Sequence, residues 1–364
     1  MVLDRFLGRM CVDGDHNLFL PYQPALFEEG WRVLVAGGWE KAPSKFIKKK
    51  PRHHLMRFFC LLQATGAALL LLLAGPTFLF AQMIMPLEMG QGPRFSASAG
   101  SSYQFKSDVT GGGDFSVSRF SLMAGGLVPI DEKIGIGVGF TYDFEDYDIS
   151  NLKGFPVANP WNKIDRVGLG LRLTYKVGEN WGLHVGPIVQ YAGERGANFD
   201  DSLMYGGIIA ATYRASRDFA IGFGAGVFYR LEETTVFPSL LISWKITDRL
   251  YLGNSYRLGP VGPAGLEVTY FLDKDWQLAA GGGYRWLRFR LDSNGPIPNG
   301  IGENVGFPVY LRLGRRFWQV VNIDLFGGAV FGGKLALEDS RGNEINSISY
   351  NTAPMVGLSL RANF

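Results

Sequence analysis

The sequence predicts an all-β fold: a single closed antiparallel barrel that crosses a membrane with about fourteen strands, about twelve being the alternative count. Three observations predict it. Apolar and polar residues alternate along most of the chain, the connections between the alternating segments are short and long in turn, and the chain ends on Phe364 inside such a segment. In a bilayer, only helices and closed barrels give every backbone polar group a partner.

The composition is that of a membrane-embedded or well-packed protein. Charged residues make up 19% of the chain, below the roughly 25% of a typical soluble domain, and the hydrophobic share of 47% excludes disorder. The first 81 residues hold ten of the 36 Lys and Arg and six of the 33 Asp and Glu, leaving 26 basic and 27 acidic residues. A body so near neutrality gives no support for a nucleic-acid partner. Both cysteines, Cys11 and Cys60, precede residue 82, which excludes a disulfide or thiolate metal site in the body.

A basic patch followed by a leucine-rich apolar run predicts a signal peptide. The patch begins at Lys48 and the run ends near Ala81, so we predict cleavage before Gln82. An uncleaved membrane helix is the alternative, because about 20 apolar residues span a bilayer. The helix-breaking pair Gly75 and Pro76 favours the signal peptide.

Four parts of the chain follow from these patterns. Residues 1–55 are predicted to be a non-structural extension, with Met56 as the better first residue, and residues 56–81 the signal peptide. Residues 82–93 form a short N-terminal segment, and residues 94–364 form the barrel.

Alternation with a period of two identifies the strands. From Lys133 to Tyr147 apolar residues occupy every second position, whereas a helix would mix apolar and polar residues on each face. Fourteen such segments begin near Arg94, Asp114, Lys133, Lys163, Trp181, Leu203, Phe219, Val236, Leu250, Ala264, Trp276, Asn304, Asn322 and Ser349. Segments of about ten to fifteen residues exceed the roughly five or six of strands in globular sheets, which argues against a soluble β-sandwich.

The connections predict which strand ends share one side of the membrane. One set is tight, at 130–132, 178–180, 216–218, 247–249, 273–275 and 319–321. The other set is generally longer and polar, at 110–113, 150–162, 194–202, 292–303 and 338–348. Short turns at one end and longer loops at the other are typical of outer-membrane barrels. Aromatic residues near both ends of the apolar faces fit two membrane–water interfaces.

The C-terminal segment predicts how the barrel closes. Apolar residues alternate with polar or small residues from Pro354 to Phe364, which predicts a strand that extends to the last residue. The last strand of a barrel must pair with the first, because an unpaired sheet edge in hydrocarbon would leave backbone groups without hydrogen-bond partners. Phe364 is therefore predicted to be a paired residue on the lipid face. A terminal aromatic on such a strand also resembles the signal that the barrel-assembly machinery of the outer membrane reads.

Several stretches resemble one family of Gram-negative outer-membrane barrels known only as a domain of unknown function. They are Asn159–Ile164 (NPWNKI), Phe237–Thr247 (FPSLLISWKIT), Gly265–Trp276 (GLEVTYFLDKDW), Gly300–Leu313 (GIGENVGFPVYLRL) and Phe331–Asp339 (FGGKLALED). The resemblance implies a barrel. It implies no reaction, ligand or cofactor, so no functional residue is carried over from it.

The residues give no support for catalysis or metal binding. The body has one histidine, His184, and the serine that a phospholipase-type barrel has two residues on is Gly186 here. One histidine, no cysteine and scattered acids make no metal-ligand set. We predict no catalytic, cofactor-binding or metal site, and no enzymatic activity.

A mostly basic set of side chains is predicted to line the lumen if the apolar faces contact lipid. It comprises Arg119, Arg172, Lys176, His184, Arg214, Arg230, Arg257, Glu267, Arg312, Asp324, Lys334 and Arg361. Surplus guanidinium would favour anions in a water-filled pore. The alternative is that these arginines pair with lumen acids and partly fill the barrel.

These patterns lead us to expect an outer-membrane protein of a Gram-negative bacterium, exported through a cleaved signal peptide, that acts as a porin-like passive channel for small polar or anionic solutes. The alternative is a non-conducting structural or adhesion barrel whose lumen is closed by side chains and the loop at 150–162. A fatty-acid-type transporter and a barrel hydrolase are weaker candidates. The expected partners are outer-membrane lipid and lipopolysaccharide, the assembly machinery and small solutes, with no nucleic acid and no cofactor.

Overall fold

The computed structural model describes residues 92–254, 265–318 and 320–364. The predicted extension at 1–55, the signal peptide at 56–81 and most of the segment at 82–93 lie outside the described residues, as does Arg257. Among the residues that are described, no helix is long and apolar enough to cross a bilayer.

The described chain consists of strands joined by turns and loops, with one short 3₁₀ turn at Asp200–Ser202. The strands are β1 (Arg94–Asp108), β2 (Asp114–Pro129), β3 (Ile134–Ser150), β4 (Lys163–Val177), β5 (Trp181–Glu194), β6 (Leu203–Arg214), β7 (Phe219–Arg230), β8 (Glu233–Lys245), β9 (Leu250–Asn254), β10 (Gly265–Phe271), β11 (Trp276–Gly283), β12 (Arg285–Arg290), β13 (Ile301–Phe317), β14 (Val321–Glu338), β15 (Glu344–Tyr350) and β16 (Ala353–Asn363). β11 and β12 pair in succession with β13, and β15 and β16 pair in succession with β14, so each couple is one interrupted strand. The result is a closed barrel of fourteen antiparallel strands, which confirms the predicted fold class.

The first and last strands close the barrel. β1 pairs with β16 from Ser96 opposite Asn363 to Gln104 opposite Met355. The ladder extends to the last residue, because the backbone N–H of Phe364 donates to the carbonyl oxygen of Phe95 at 2.8 Å and the reverse bond is 3.0 Å. The C-terminus is therefore part of the sheet, and the exposed ring of Phe364 lies beside its outer surface.

Alternation along each wall strand separates an apolar outer face from an inner face of small and polar residues. On β4 the side chains of Leu169, Leu171 and Leu173 are exposed on the outside, whereas Arg172 and Thr174 are buried on the inside. A row of exposed leucines would cost free energy in water but gains it in hydrocarbon. This surface is that of a membrane barrel.

Arginine at the centre of this outer face is expected to destabilise the barrel. Leu171→Arg should lower the free energy of unfolding by about 2–4 kcal/mol, because the guanidinium must leave water for hydrocarbon. The matched control is Val177→Arg at the end of the same face, where the expected loss is about 0–1 kcal/mol. Urea unfolding of protein refolded into lipid vesicles measures both, and equal losses would mean that the face does not contact acyl chains.

Two of the short turns are closed by an aspartate that accepts hydrogen bonds from backbone N–H groups. Asp131 accepts hydrogen bonds from the backbone N–H groups of Lys133 and Ile134, each at 2.7 Å. Asp273 accepts in the same way from Asp275 and Trp276, each at 2.8 Å. These bonds hold the pKa of both carboxyls below the ordinary value. Their contribution to stability is present above the ordinary carboxyl pKa and is lost as the pH falls through the lowered pKa.

A β-bulge in β14 reverses the faces at the end of that strand. Between its pairs with Phe307 and Val305 of β13, β14 advances from Phe331 to Lys334, one residue more than its partner. Gly332 accommodates the extra residue with a φ of 57°, a left-handed conformation that glycine adopts without steric cost. The bulge moves Lys334 off the lumen face, where its ammonium lies 3.6 Å from a carboxylate of β15. The predicted lumen position of Lys334 is therefore wrong.

Candidate functional site in the barrel lumen

An aromatic core, made of Phe115, Tyr147, Trp161, Phe289 and Tyr350, fills the barrel at the end of the long connections. All five rings are buried. The ring centroids of Phe115 and Tyr350 are 4.9 Å apart, those of Tyr147 and Trp161 are 6.1 Å apart, and those of Trp161 and Phe289 are 5.4 Å apart. At this level the lumen is therefore occupied by the side chains of the protein itself.

β12, which we call the inner strand, continues the register of β11 on β13, but both of its faces are buried. Leu287 and Phe289 on one face are 2% and 0% exposed, and Arg288 and Arg290 on the other are 3% and 2% exposed. A wall strand such as β4 leaves alternate residues exposed to lipid, so burial of both faces indicates that this end of the β12–β13 ladder is covered on both sides by other parts of the chain. A bridge from Arg290 to Gly193 of β5 joins the inner strand to the far side of the barrel.

Ion pairs fasten one face of the inner strand. The guanidinium of Arg288 lies between the carboxylates of Glu303 and Glu338, with Nη2 2.6 Å from Glu338. Arg290 pairs with Glu232, in the turn between β7 and β8, at 2.8 Å. The partners belong to several strands, so these charges connect the inner strand to much of the surrounding wall.

The other face is fastened through Glu145 of β3. This carboxylate pairs with Arg285 of the inner strand and with Arg119 of β2, and it accepts a hydrogen bond of 2.9 Å from the hydroxyl of Tyr147. Arg119 also donates to Gln104 at 2.9 Å. Glu145 is buried and two guanidinium groups flank it, which compensates the cost of removing its charge from water.

A second ion cluster lies nearer the short turns. The Nε of Arg312 donates to Glu267 at 3.1 Å, and its Nη atoms pair with Glu267 and Asp324. The hydroxyl of Tyr310 donates to Glu267 at 2.8 Å. All four side chains are buried, and the one arginine lies between two carboxylates that would otherwise repel each other.

Arg172, on the opposite wall, has no acidic partner among the described residues. Its Nε donates to the hydroxyl of Thr174 at 3.0 Å, and its Nη2 is 3.3 Å from Nδ1 of His184. The other ring nitrogen of His184 is 3.0 Å from the hydroxyl of Thr212. The Nη1 of Arg172 is buried and has no hydrogen-bond partner within the described chain.

The other predicted lumen residues also lie on the inner face of the wall. Lys176 and Arg214 are half-buried near the short turns, and Arg361 is half-buried on β16. Arg230 is buried at the opposite end, where its guanidinium carbon is 4.6 Å from the ring centre of Trp286.

Sequence reasoning missed the arginines of the inner strand and their partners Glu303 and Glu338. A signal for them exists in Trp286–Arg290 (WLRFR). If the alternation of β11 continued through this segment, Arg288 and Arg290 would face lipid, which is costly for a guanidinium. That conflict indicates a strand whose outer face is covered by other parts of the protein instead of lipid.

No group of three or more His, Cys, Asp or Glu side chains within residues 92–254, 265–318 and 320–364 is arranged to hold a metal ion. The clusters described above therefore consist of ion pairs and hydrogen bonds between side chains.

Fold and lumen together define a class, an outer-membrane-type β-barrel with a buried aromatic core at one end. Residues 146–256 match the family model described as Domain of unknown function (DUF6268), which confirms the predicted resemblance over this part of the chain. None of the curated proteins matches the sequence.

Several solved structures are similar to this chain. An outer membrane channel (COG4313) from Pseudomonas putida F1 is 12% identical, with a TM-score of 0.42, covering 75% of this chain and 96% of that one. A Pseudomonas aeruginosa FadL homologue is 15% identical, with a TM-score of 0.44 and coverages of 75% and 90%. The KdgM porin is 9% identical, with a TM-score of 0.31 and coverages of 73% and 99%. Identities this low concern the barrel fold and carry no information about a solute.

Proposed function

We propose that this protein is a passive channel of the outer membrane of a Gram-negative bacterium and that the inner strand is its gate. The observation that supports this proposal best is the burial of both faces of β12 inside the barrel, where the strand is held by ion pairs from Arg285, Arg288 and Arg290. In the conformation described here the gate is closed.

Ion pairs suit a reversible gate because water can replace them. The Coulomb energy of a buried pair is largely offset by the cost of desolvating both charges, so separating the pair into water changes the free energy little. The apolar contribution comes from three side chains of the inner strand, since Leu287 and Phe289 enter one apolar cluster and Trp286 packs against a second. Each is worth about 1.5–3 kcal/mol of burial.

Small polar solutes, with a preference for anions, are the proposed cargo. The lumen acids Glu145, Glu267 and Asp324 are each paired with arginine. Arg172 and Arg214 make no ion pair within the described residues, which supports a positive potential inside an open lumen.

Export through a signal peptide at 56–81, recognition of Phe364 by the assembly machinery, and contact with lipid and lipopolysaccharide remain parts of this proposal. The exposed outer face and the pairing of Phe364 in the sheet support them.

A non-conducting structural barrel is the second candidate, favoured by the density of the aromatic core. The loop at 150–162 contributes Leu152, Phe155 and Trp161 to it, all buried. A barrel filled in this way would serve adhesion or the membrane itself without passing solute.

Conductance in planar bilayers separates the two candidates. We expect refolded wild-type protein to show rare stepwise openings and Glu145→Gln to show them far more often, because the amide no longer neutralises Arg285. The matched control is Glu344→Gln, which removes the same charge from an exposed carboxylate at the same end of the barrel. No stepwise current from any of the three proteins would favour the structural role, and equal opening in the two variants would exclude the inner strand as the gate.

A further inference from the structure

We propose that Arg214, Arg172 and Arg230, which we call the arginine row, form a binding path for small oxyanions along the wall made by β4 to β7. The inference rests on the proposed channel only for the way in which the anion reaches the row. Binding itself is independent of conductance.

The arginine row extends from one end of the barrel to the other. Arg214 ends β6 beside a short turn, Arg230 ends β7 beside the turn at the opposite end, and Arg172 lies within β4. The register pairs Arg214 with Ala220 of β7, so about ten residues of β7, roughly 33 Å of strand, separate the two end positions. A row of this length follows the route that a solute would take through the membrane.

Each member of the row has a guanidinium nitrogen without a hydrogen-bond partner in the described chain. These atoms are Nη2 of Arg214, Nη1 of Arg172 and Nη1 of Arg230. No member makes an ion pair within the described residues, and Arg230 instead stacks on Trp286 and Phe237, with its guanidinium carbon 4.6 and 5.6 Å from their ring centres. Arg172 and Arg230 are 2% and 3% exposed.

Four lumen acids pair with arginines outside the row. Asp143 pairs with Arg166 at 2.8 Å, Glu145 with Arg285, and Glu267 and Asp324 share Arg312. None of these acids pairs with the arginine row. Arg172 has no acid near it among the described residues, whereas Glu303 and Glu233 act on Arg230 without forming an ion pair.

A buried charge without a counter-ion is costly, because desolvation is not compensated. A small carboxylate or phosphate group removes that cost, since the planar fork of a guanidinium matches two oxygens of an oxyanion. At Arg172 the oxyanion would replace the 3.3 Å contact with His184, and the hydroxyls of Thr174 and Thr212 are the neighbouring donors. The stacking of Arg230 on two rings leaves its edge as the surface for hydrogen bonding.

Thermal unfolding in detergent, with acetate and inorganic phosphate as probes at constant ionic strength, tests the arginine row without requiring conductance. The test variant is Arg172→Gln with Arg214→Gln, neither of which contacts the inner strand. The matched control is Arg249→Gln with Arg316→Gln, which removes the same charge from two exposed positions near the short turns. A response to acetate alone, to phosphate alone or to both identifies the preferred oxyanion.

We expect the unfolding temperature of wild type and control to rise as the probe concentration increases. For the same rise, the test variant should require at least about tenfold more probe, because a charge-assisted hydrogen bond is lost. Without probe, the test variant should be at least as stable as wild type, since it no longer buries an uncompensated charge. If the test variant does not fold, Arg172→Lys, which keeps the charge but loses the fork, should show the weakened response. Equal responses in test variant and control, or no response in wild type, would overturn the arginine row.

Reversal potentials under a KCl gradient separate this inference from the proposed channel. If the test variant loses the response to the probe and neither it nor wild type conducts, the result would support the arginine row and reject the channel. A conducting test variant with the anion preference of wild type would reject the row and keep the channel.

Discussion

Replacing Arg312 with methionine is expected to lower the free energy of unfolding by about 3–5 kcal/mol, because removing one partner of a buried ion pair leaves an uncompensated charge. Here two carboxylates, Glu267 and Asp324, would lose their shared partner and repel each other. Urea unfolding in lipid vesicles at neutral pH measures the loss.

The control for this prediction is Arg172→Met. Arg172 is buried to the same degree as Arg312, at 2% against 3% exposure, and the substitution removes the same number of atoms. Because Arg172 has no acid, methionine there is expected to be neutral or stabilising. Similar losses at both positions would show that packing, and not charge compensation, sets the cost.

Replacing Arg288 with methionine is expected to open the gate. The carboxylates of Glu303 and Glu338 would face each other without the guanidinium between them, and the closed arrangement would lose about 3–5 kcal/mol. That loss corresponds to an increase of about a hundredfold or more in the ratio of open to closed states. Open probability in planar bilayers measures the change.

Arg341→Met provides the matched control, since Arg341 is exposed in the turn after β14, at the same end of the barrel. An open probability that stays at the wild-type level in Arg288→Met, in protein that is folded by circular dichroism, would contradict a gate held by this arginine. If the open probability stays at the wild-type level while the free energy of unfolding falls, Arg288 stabilises the barrel and does not hold a gate.

Much of the wall can be predicted from the sequence because alternation is local. The predicted starts at Arg94, Asp114 and Trp181 are the observed first residues of β1, β2 and β5, and the closing pair of strands follows from the requirement that no sheet edge remains in hydrocarbon. The C-terminal strand is recognisable for the same reason, since its two faces differ throughout its length.

The prediction failed where the alternation of apolar and polar residues no longer indicates which side chains face lipid and which face the lumen. The bulge at Gly332 inserts one residue and reverses every later side chain of β14, so the lumen position predicted for Lys334 was wrong. The inner strand keeps an alternating sequence while both of its faces are buried, because arginines and apolar residues each have partners inside the barrel.

The sequence by itself determined that this chain forms a closed membrane barrel, since strand period, turn length and the apolar face are properties of short segments. Only the tertiary structure decided that an aromatic core fills one end of the barrel and which charges pair with each other. Arg285 and Glu145 are 140 residues apart in the chain, and no local pattern relates them. Their contact exists because the wall curves until β3 and the inner strand meet across the lumen, and the arginines left without acids become known only when those pairs are identified.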